Sequence, residues 1–227
     1  DSDRDLIAML AAQAAVALDN ARWSEGLERK VEERTAALEQ RAGELAVINA
    51  IQHAIAAELD FQAIVDLVGD KLREVFASQN LSIGLLDADG QTLRMAYSVE
   101  HGVRLAQRAF VPRADRVWYG RLRAGQTLIA RNAADYAAIQ MDVMPGTDMP
   151  TSGVYVPIMV GERYLGDVGI ESFEREDAFG APAVRLLQTV VASMGAALEN
   201  ARLFAQTQTL LKQTEARNAE LAVINTI

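Results

Sequence analysis

Cysteine is missing from all 227 residues, which removes disulfides, thiolate metal sites, cysteine nucleophiles and thioether-linked chromophores together. Histidine occurs only twice, as His53 and His101, and two isolated imidazoles support neither a metal centre nor a Ser-His-Asp relay. Ala54 follows His53, whereas a phosphoaccepting histidine needs an acidic neighbour to act on it, so His53 reads as a helix-face residue. His101 reads as a solvated turn residue. Basic charge is also short. Lys71 is the only lysine between Lys30 and Lys212, and 22 Lys and Arg against 31 Asp and Glu leave a net charge of −9. That balance argues against nucleic acid, which needs a basic face to displace counterions, and against anionic lipid. No apolar run approaches the roughly 18 residues that span a bilayer, and no signal-peptide pattern opens the sequence. The glycines form neither G-x-x-x-x-G-K-[ST] nor a G-x-G-x-x-G between strand and helix, which excludes the common phosphate loops. A cytoplasmic protein is expected. Asp1 does not look like a natural start, so the sequence reads as part of a longer chain.

What is present is repetition. "ELAVINAI" at Glu44 to Ile51 returns as "ELAVINTI" at Glu220 to Ile227, and "ALDNAR" from Ala17 returns as "ALENAR" from Ala197. Similarity in a fixed order marks an array. The two offsets are 176 and 180 positions, so the second linker is four residues shorter. Four residues is close to one helical turn, which keeps an apolar stripe roughly in phase.

Proline is absent from residues 1–60, and apolar residues recur there at helical spacing. Leu27, Val31, Leu38, Leu45, Ile48 and Ile55 follow one heptad seam, with Arg34 and Arg41 as poor members. A long helix with so narrow an apolar stripe needs a partner, and the simplest is the same helix of a second chain. Leu203, Leu210, Leu221 and Ile224 would extend the parallel dimer seam along the closing helix.

The centre differs. "FQAIVDLVGDKLREVF" has a broad apolar face and predicts a core helix. Strands are expected at Leu81 to Asp87 and Thr92 to Glu100, joined by an Asp-Gly turn, then at Arg108 to Pro112 and Thr127 to Arg131. A short helix over Asp115 to Gly125 should be capped by Asp115 and ended by Gly125. Asn132 to Thr151 reads as a long loop, a common form for a lid. Two apolar strands joined at Gly161-Glu162-Arg163 follow, then a long helix from about Pro182. The fold class is α+β, an antiparallel sheet flanked by helices, with long coiled-coil helices leading in and out.

Over about Asn49 to Gln206 the order and spacing of "WYGRLRAGQTLIARNAADY", "GVYVPIMVGERYLGDVGIES" and "AFGAPAVRLLQTVVASMGAALENARLF" resemble the GAF domain, a small-molecule-binding regulatory module. "RDLIAMLAAQAAVALDNARW" is similar to the last helix of a preceding GAF domain, and "LERKVEERTAALEQR" to the signalling helices of bacterial histidine kinases and cyclases. The resemblance divides the chain into 1–23, a preceding helix; 24–48, a coiled-coil linker; 49–206, the GAF domain; and 207–227, the next linker. It implies a non-catalytic sensor, homodimeric through its helices, that relays ligand- or conformation-driven change to an output domain. A purely structural dimerisation spacer and an enzyme of unrecognised type are the alternatives.

Several branches of the family do not fit. Bilin attachment and free methionine sulfoxide reduction both depend on cysteines, and the dispersed signature of cyclic-nucleotide-binding members cannot be placed. The ligand is therefore unknown. By the same resemblance a ligand would lie between the sheet and the segment from its third to its fifth strand. That points to Tyr97, Phe110, Trp118, Tyr119 and Tyr155, with Tyr136, Met141 and Met144 nearby and Arg131 and Asp135 as polar candidates. Aromatic walls with few polar groups suit a small organic molecule. A spacer predicts no cavity beside Tyr97, Trp118 and Tyr155.

Overall fold

The computed structural model describes residues 9, 22–24, 26–35, 46, 48–55, 57–144 and 146–224. Contacts divide the chain into Asp1–Val47 and Ile48–Ile227. In the first unit residues 22–24 and 26–35 are helical, with Leu27 and Val31 exposed. Leu38, Arg41 and Leu45 lie outside the described residues.

The second unit opens with helical residues 48–55, where Ile48 is half-buried and Ile51 and Ile55 are fully buried. Helix α1 (Phe61–Phe76) starts where Asp60 accepts a hydrogen bond from the Ala63 amide at 2.8 Å. It stops at Ala77, which turns left-handed and closes the last carbonyls. Its buried face is Ile64, Val65, Val68 and Leu72, at the spacing of one helical stripe.

Seven strands form one antiparallel sheet: β1 (Leu81–Leu86), β2 (Leu93–Glu100), β3 (Val103–Arg104), β4 (Arg108–Phe110), β5 (Leu128–Ala130), β6 (Ser152–Val160) and β7 (Arg163–Ser172). Their order is β3-β2-β1-β7-β6-β5, and β4 pairs with the other end of β2. One face packs on α1, residues 48–55 and the long closing helix α4 (Ala181–Ile224) through Ile83, Val156, Val168, Ile170, Leu187, Val190 and Met194. The other face carries α2 (Val117–Arg123), α3 (Ala133–Ile139) and the segments 140–144 and 146–151. Apolar residues therefore alternate between two cores rather than between core and water, which is why the strands read as nearly continuous apolar runs.

Two bulges interrupt that alternation. Ile83 faces Tyr97 while Gly84 faces Met95, leaving Ala96 over; Ile158 faces Gly166 while Met159 faces Tyr164, leaving Leu165 over. Each extra residue changes which parity faces which side. The second bulge needs glycine. Gly166 has φ +151°, and a Cβ there would lie 2.0 Å from the Gly84 carbonyl oxygen.

Three local expectations are corrected. The Asn132 to Thr151 segment is not all loop, because Asn132 accepts from the Asp135 amide and starts α3. Asp115 does not cap α2, because its carboxylate is taken by the Arg113 guanidinium at 2.7 and 3.1 Å, and Arg116 stands at the cap without a side-chain bond. By length and composition Ala181–Asn218 is apolar enough to cross a membrane, at a mean hydropathy of 1.3, where none was expected. Leu187, Val190, Val191, Met194 and Leu198 spend that apolarity in the core.

Candidate functional site

Between the sheet and the layer of α2, α3 and residues 140–144 and 146–151 lies a cavity of about 580 Å³. Its floor comes from side chains that cross-strand pairing sets on one face: Leu93, Met95, Ser98 and Glu100 of β2, Ser82 of β1, Asp167 and Glu171 of β7, and Tyr155 of β6. The floor is open partly because Gly169 sits among them. A Cβ there would stand 2.7 Å from Ser82 Oγ and 2.8 Å from the Tyr155 ring. Phe110, Trp118 and Leu122 form the apolar wall, and Met141, Met144, Met149 and Pro150 cover the opening.

The cover is held by polar ties. Arg116 donates twice to Asp142, at 2.6 and 2.9 Å. Glu100 accepts from the Asp148 amide at 3.1 Å, and His101 Nε2 lies 3.2 Å from Asp148 Oδ2. His101 is exposed, with φ 49°, and its ring rests against Phe173 at 4.7 Å. Glu100, His101 and Asp148 thus place three ligand-type atoms within 4.8 Å of one another, two of the residues largely in water.

The polar floor is built from tyrosine-carboxylate pairs. Tyr155 donates to Glu171 Oε1 at 2.7 Å and lies 3.3 Å from the Tyr136 hydroxyl; Tyr164 donates to Asp167 Oδ1 at 2.7 Å. Burial pushes the Tyr155, Tyr136 and Tyr164 hydroxyls up, so all three stay protonated donors. Burial also raises the Asp167 and Glu171 carboxyls to about 6, opposed in each case by the tyrosine hydroxyl alone. Glu171 is pushed further by the charges of Glu100 and Asp167. It keeps some accessible surface because it borders the cavity, although protein surrounds it otherwise. Trp118 Nε1 is buried without a hydrogen-bond partner among the described residues.

Of the residues singled out from sequence, Phe110, Trp118, Tyr155, Met141 and Met144 border the cavity. The others are set elsewhere. Tyr97 is carried to the α1 face by the bulge at Ala96, where it donates to Asp70 at 2.7 Å under the Arg104 guanidinium. Tyr119 packs between Trp118 and Tyr164, with ring centroids 5.5 and 6.2 Å away. Arg131 is exposed beside Asp177, and Asp135 spends its carboxylate on the Arg131 amide. Sequence reasoning missed Ser82, Ser98, Asp167 and Glu171. The signal for the last two was "YLGDVGIES", an apolar strand with an unexplained aspartate in its middle.

A model of the GAF domain family matches residues 58–199, more than half of the chain. The chain belongs to the GAF domain family. Members are sensory and regulatory modules, and the solved structures similar to this one share its fold. A GAF domain from an Acinetobacter phosphoenolpyruvate-protein phosphotransferase is 16% identical with a TM-score of 0.56, over 70% of this chain and 94% of that one. A methyl-accepting chemotaxis protein is 15% identical with a TM-score of 0.59, over 68% and 98%. Free methionine-R-sulfoxide reductase from Neisseria meningitidis, solved with its substrate, is 18% identical with a TM-score of 0.58, over 72% and 93%. No curated protein matches the chain. In this GAF domain the cavity lies on the sheet face opposite α4.

Proposed function

We propose that this GAF domain is a non-catalytic sensor unit of a tandem array, cytoplasmic and homodimeric. It binds a small organic molecule in the cavity and passes the change along α4 to an output domain. The observation that carries this reading is a cavity of about 580 Å³ with charged side chains on its floor, within the range of small-molecule sites. A spacer would be expected to fill such a space with apolar side chains.

The relay has a physical basis in two contacts. Glu199 of α4 accepts from Arg202 and from Arg163 at the start of β7, which holds its carboxyl down to about 2. Ser193 of α4 is bonded to Gln52 in the helix that enters the domain. A shift of β7 is thereby coupled to both helices.

Dimerisation is inferred from unpartnered apolar residues. Leu203 and Leu210 are exposed on α4, with Phe204 and Leu211 beside them, as Leu27 and Val31 are in helical residues 26–35. The side chains of Leu221 and Ile224 lie outside the described residues. Arg34 and Arg41 on the seam weaken one packing and keep alternatives within a few kcal/mol, as a switching element needs. Native mass spectrometry of the purified chain tests the reading. A dimer carrying a bound small molecule supports it, and a monomer with an empty cavity overturns it. Two carboxyls raised toward neutrality also suit acid–base work, so turnover of the bound molecule would favour an enzyme instead.

A further inference from the structure

We infer that the ligand is a small organic cation, an ammonium or amidinium on an apolar ring-sized body, seated with its charge against Glu171 and Asp167. This rests on the ligand-binding reading above and adds the chemical class. The first support is a charge that the protein leaves unbalanced. Asp167 is 6% exposed and borders the cavity with Glu171, four residues further along on the same strand face. Each carboxylate is met by one tyrosine hydroxyl, and the other charges felt by Glu171 are the carboxylates of Glu100 and Asp167. A buried carboxylate is costly unless a counter-charge or several donors meet it.

The guanidiniums near the cavity do not fill that role. Arg113 is taken by Asp115, and among the described residues no guanidinium acts on the Asp167 or Glu171 carboxyl. Arg116 is taken by Asp142. The missing cation must come from outside. An anionic ligand would add a further negative charge to the same floor, and a neutral one would leave both carboxylates as they are.

The second support is the wall. Phe110, Trp118 and Leu122 face the polar floor across the cavity, so a ligand with one charged end and one apolar end is matched at both. Aromatic faces attract cations as well as apolar groups. Met141, Met144 and Met149 on the cover can adapt their shape to the body.

Three probes that share one body separate the possibilities: phenethylammonium, phenethyl alcohol and hydrocinnamate, each titrated into the full chain by calorimetry at pH 8. Phenethylammonium is expected to bind at least about tenfold more tightly than the alcohol, since a charge-assisted contact is the difference between them, with hydrocinnamate weakest. Glu171→Gln should shrink that preference to about twofold or less. If the alcohol or the carboxylate binds as tightly as the ammonium, the cation assignment is wrong and the cavity stands as a ligand site. A preference that survives both Glu171→Gln and Asp167→Asn also overturns the assignment. If none of the three binds at millimolar concentration, this inference and the ligand-binding reading fall together. Should Glu171→Gln fail to fold, the order of the three probes on the unaltered chain decides the matter.

Discussion

Asp167→Asn should make this protein more stable at pH 8, and by an amount that depends on pH. Asp167 is almost fully buried, and burial moves its carboxyl from 3.8 to about 6. The unfolded chain gives up this proton near pH 3.8, while the folded chain holds it until about 6. Folding therefore loses stability as pH climbs between those values, and the loss persists above them. At about 1.4 kcal/mol for each tenfold change in proton affinity, the cost at pH 8 is roughly 3 kcal/mol. Asparagine carries no charge and can still accept the Tyr164 hydroxyl through Oδ1. Urea unfolding followed by circular dichroism, at fixed protein concentration, should show Asp167→Asn ahead by about 1–3 kcal/mol at pH 8 and by less than about 1 kcal/mol at pH 4. Destabilisation at pH 8, or an advantage equal at both pH values, would refute the claim that an uncompensated buried charge sits at this position.

Other substitutions probe the surrounding structure. Leu122 is fully buried at the cavity wall, so Leu122→Ala should cost about 2–5 kcal/mol in urea unfolding. Gly166→Ala places a Cβ on the Gly84 carbonyl in a backbone region closed to other residues; a loss above about 3 kcal/mol, read as a collapse of soluble yield or melting temperature, is expected. Tyr97→Phe removes the bond to Asp70 and should cost about 1 kcal/mol, while phenethylammonium affinity stays unchanged because Tyr97 is on the far side of the sheet. A fall in that affinity would put the bulge at Ala96 in question.

Much of the fold was legible because its signals are local. Gly90 and Gly161 mark the two hairpin turns with positive φ, and the apolar stripe of α1 follows from spacing alone. The site was less legible because its geometry depends on register. Strict alternation puts Met95 and Tyr97 on the same face, and only the extra residue Ala96, invisible in the pattern, separates them. Asp135 and Arg131 were plausible polar candidates by type, yet helix capping claims the carboxylate and solvent the guanidinium. Asn132 and Asp135, three apart, did carry a helix-start signal within the expected loop. Asp167 and Glu171 were overlooked because strand carboxylates normally point to water, and here the second face of the sheet is covered too.

Strand β7 touches the cavity and the core beneath α4 at consecutive residues. Asp167 borders the cavity, Val168 packs beneath α4, and the pattern repeats with Ile170 and Glu171. In the proposed relay the cavity side and the α4 side of the strand are one peptide plane apart. The proposed relay would then need no chain of intermediaries between the cavity and α4.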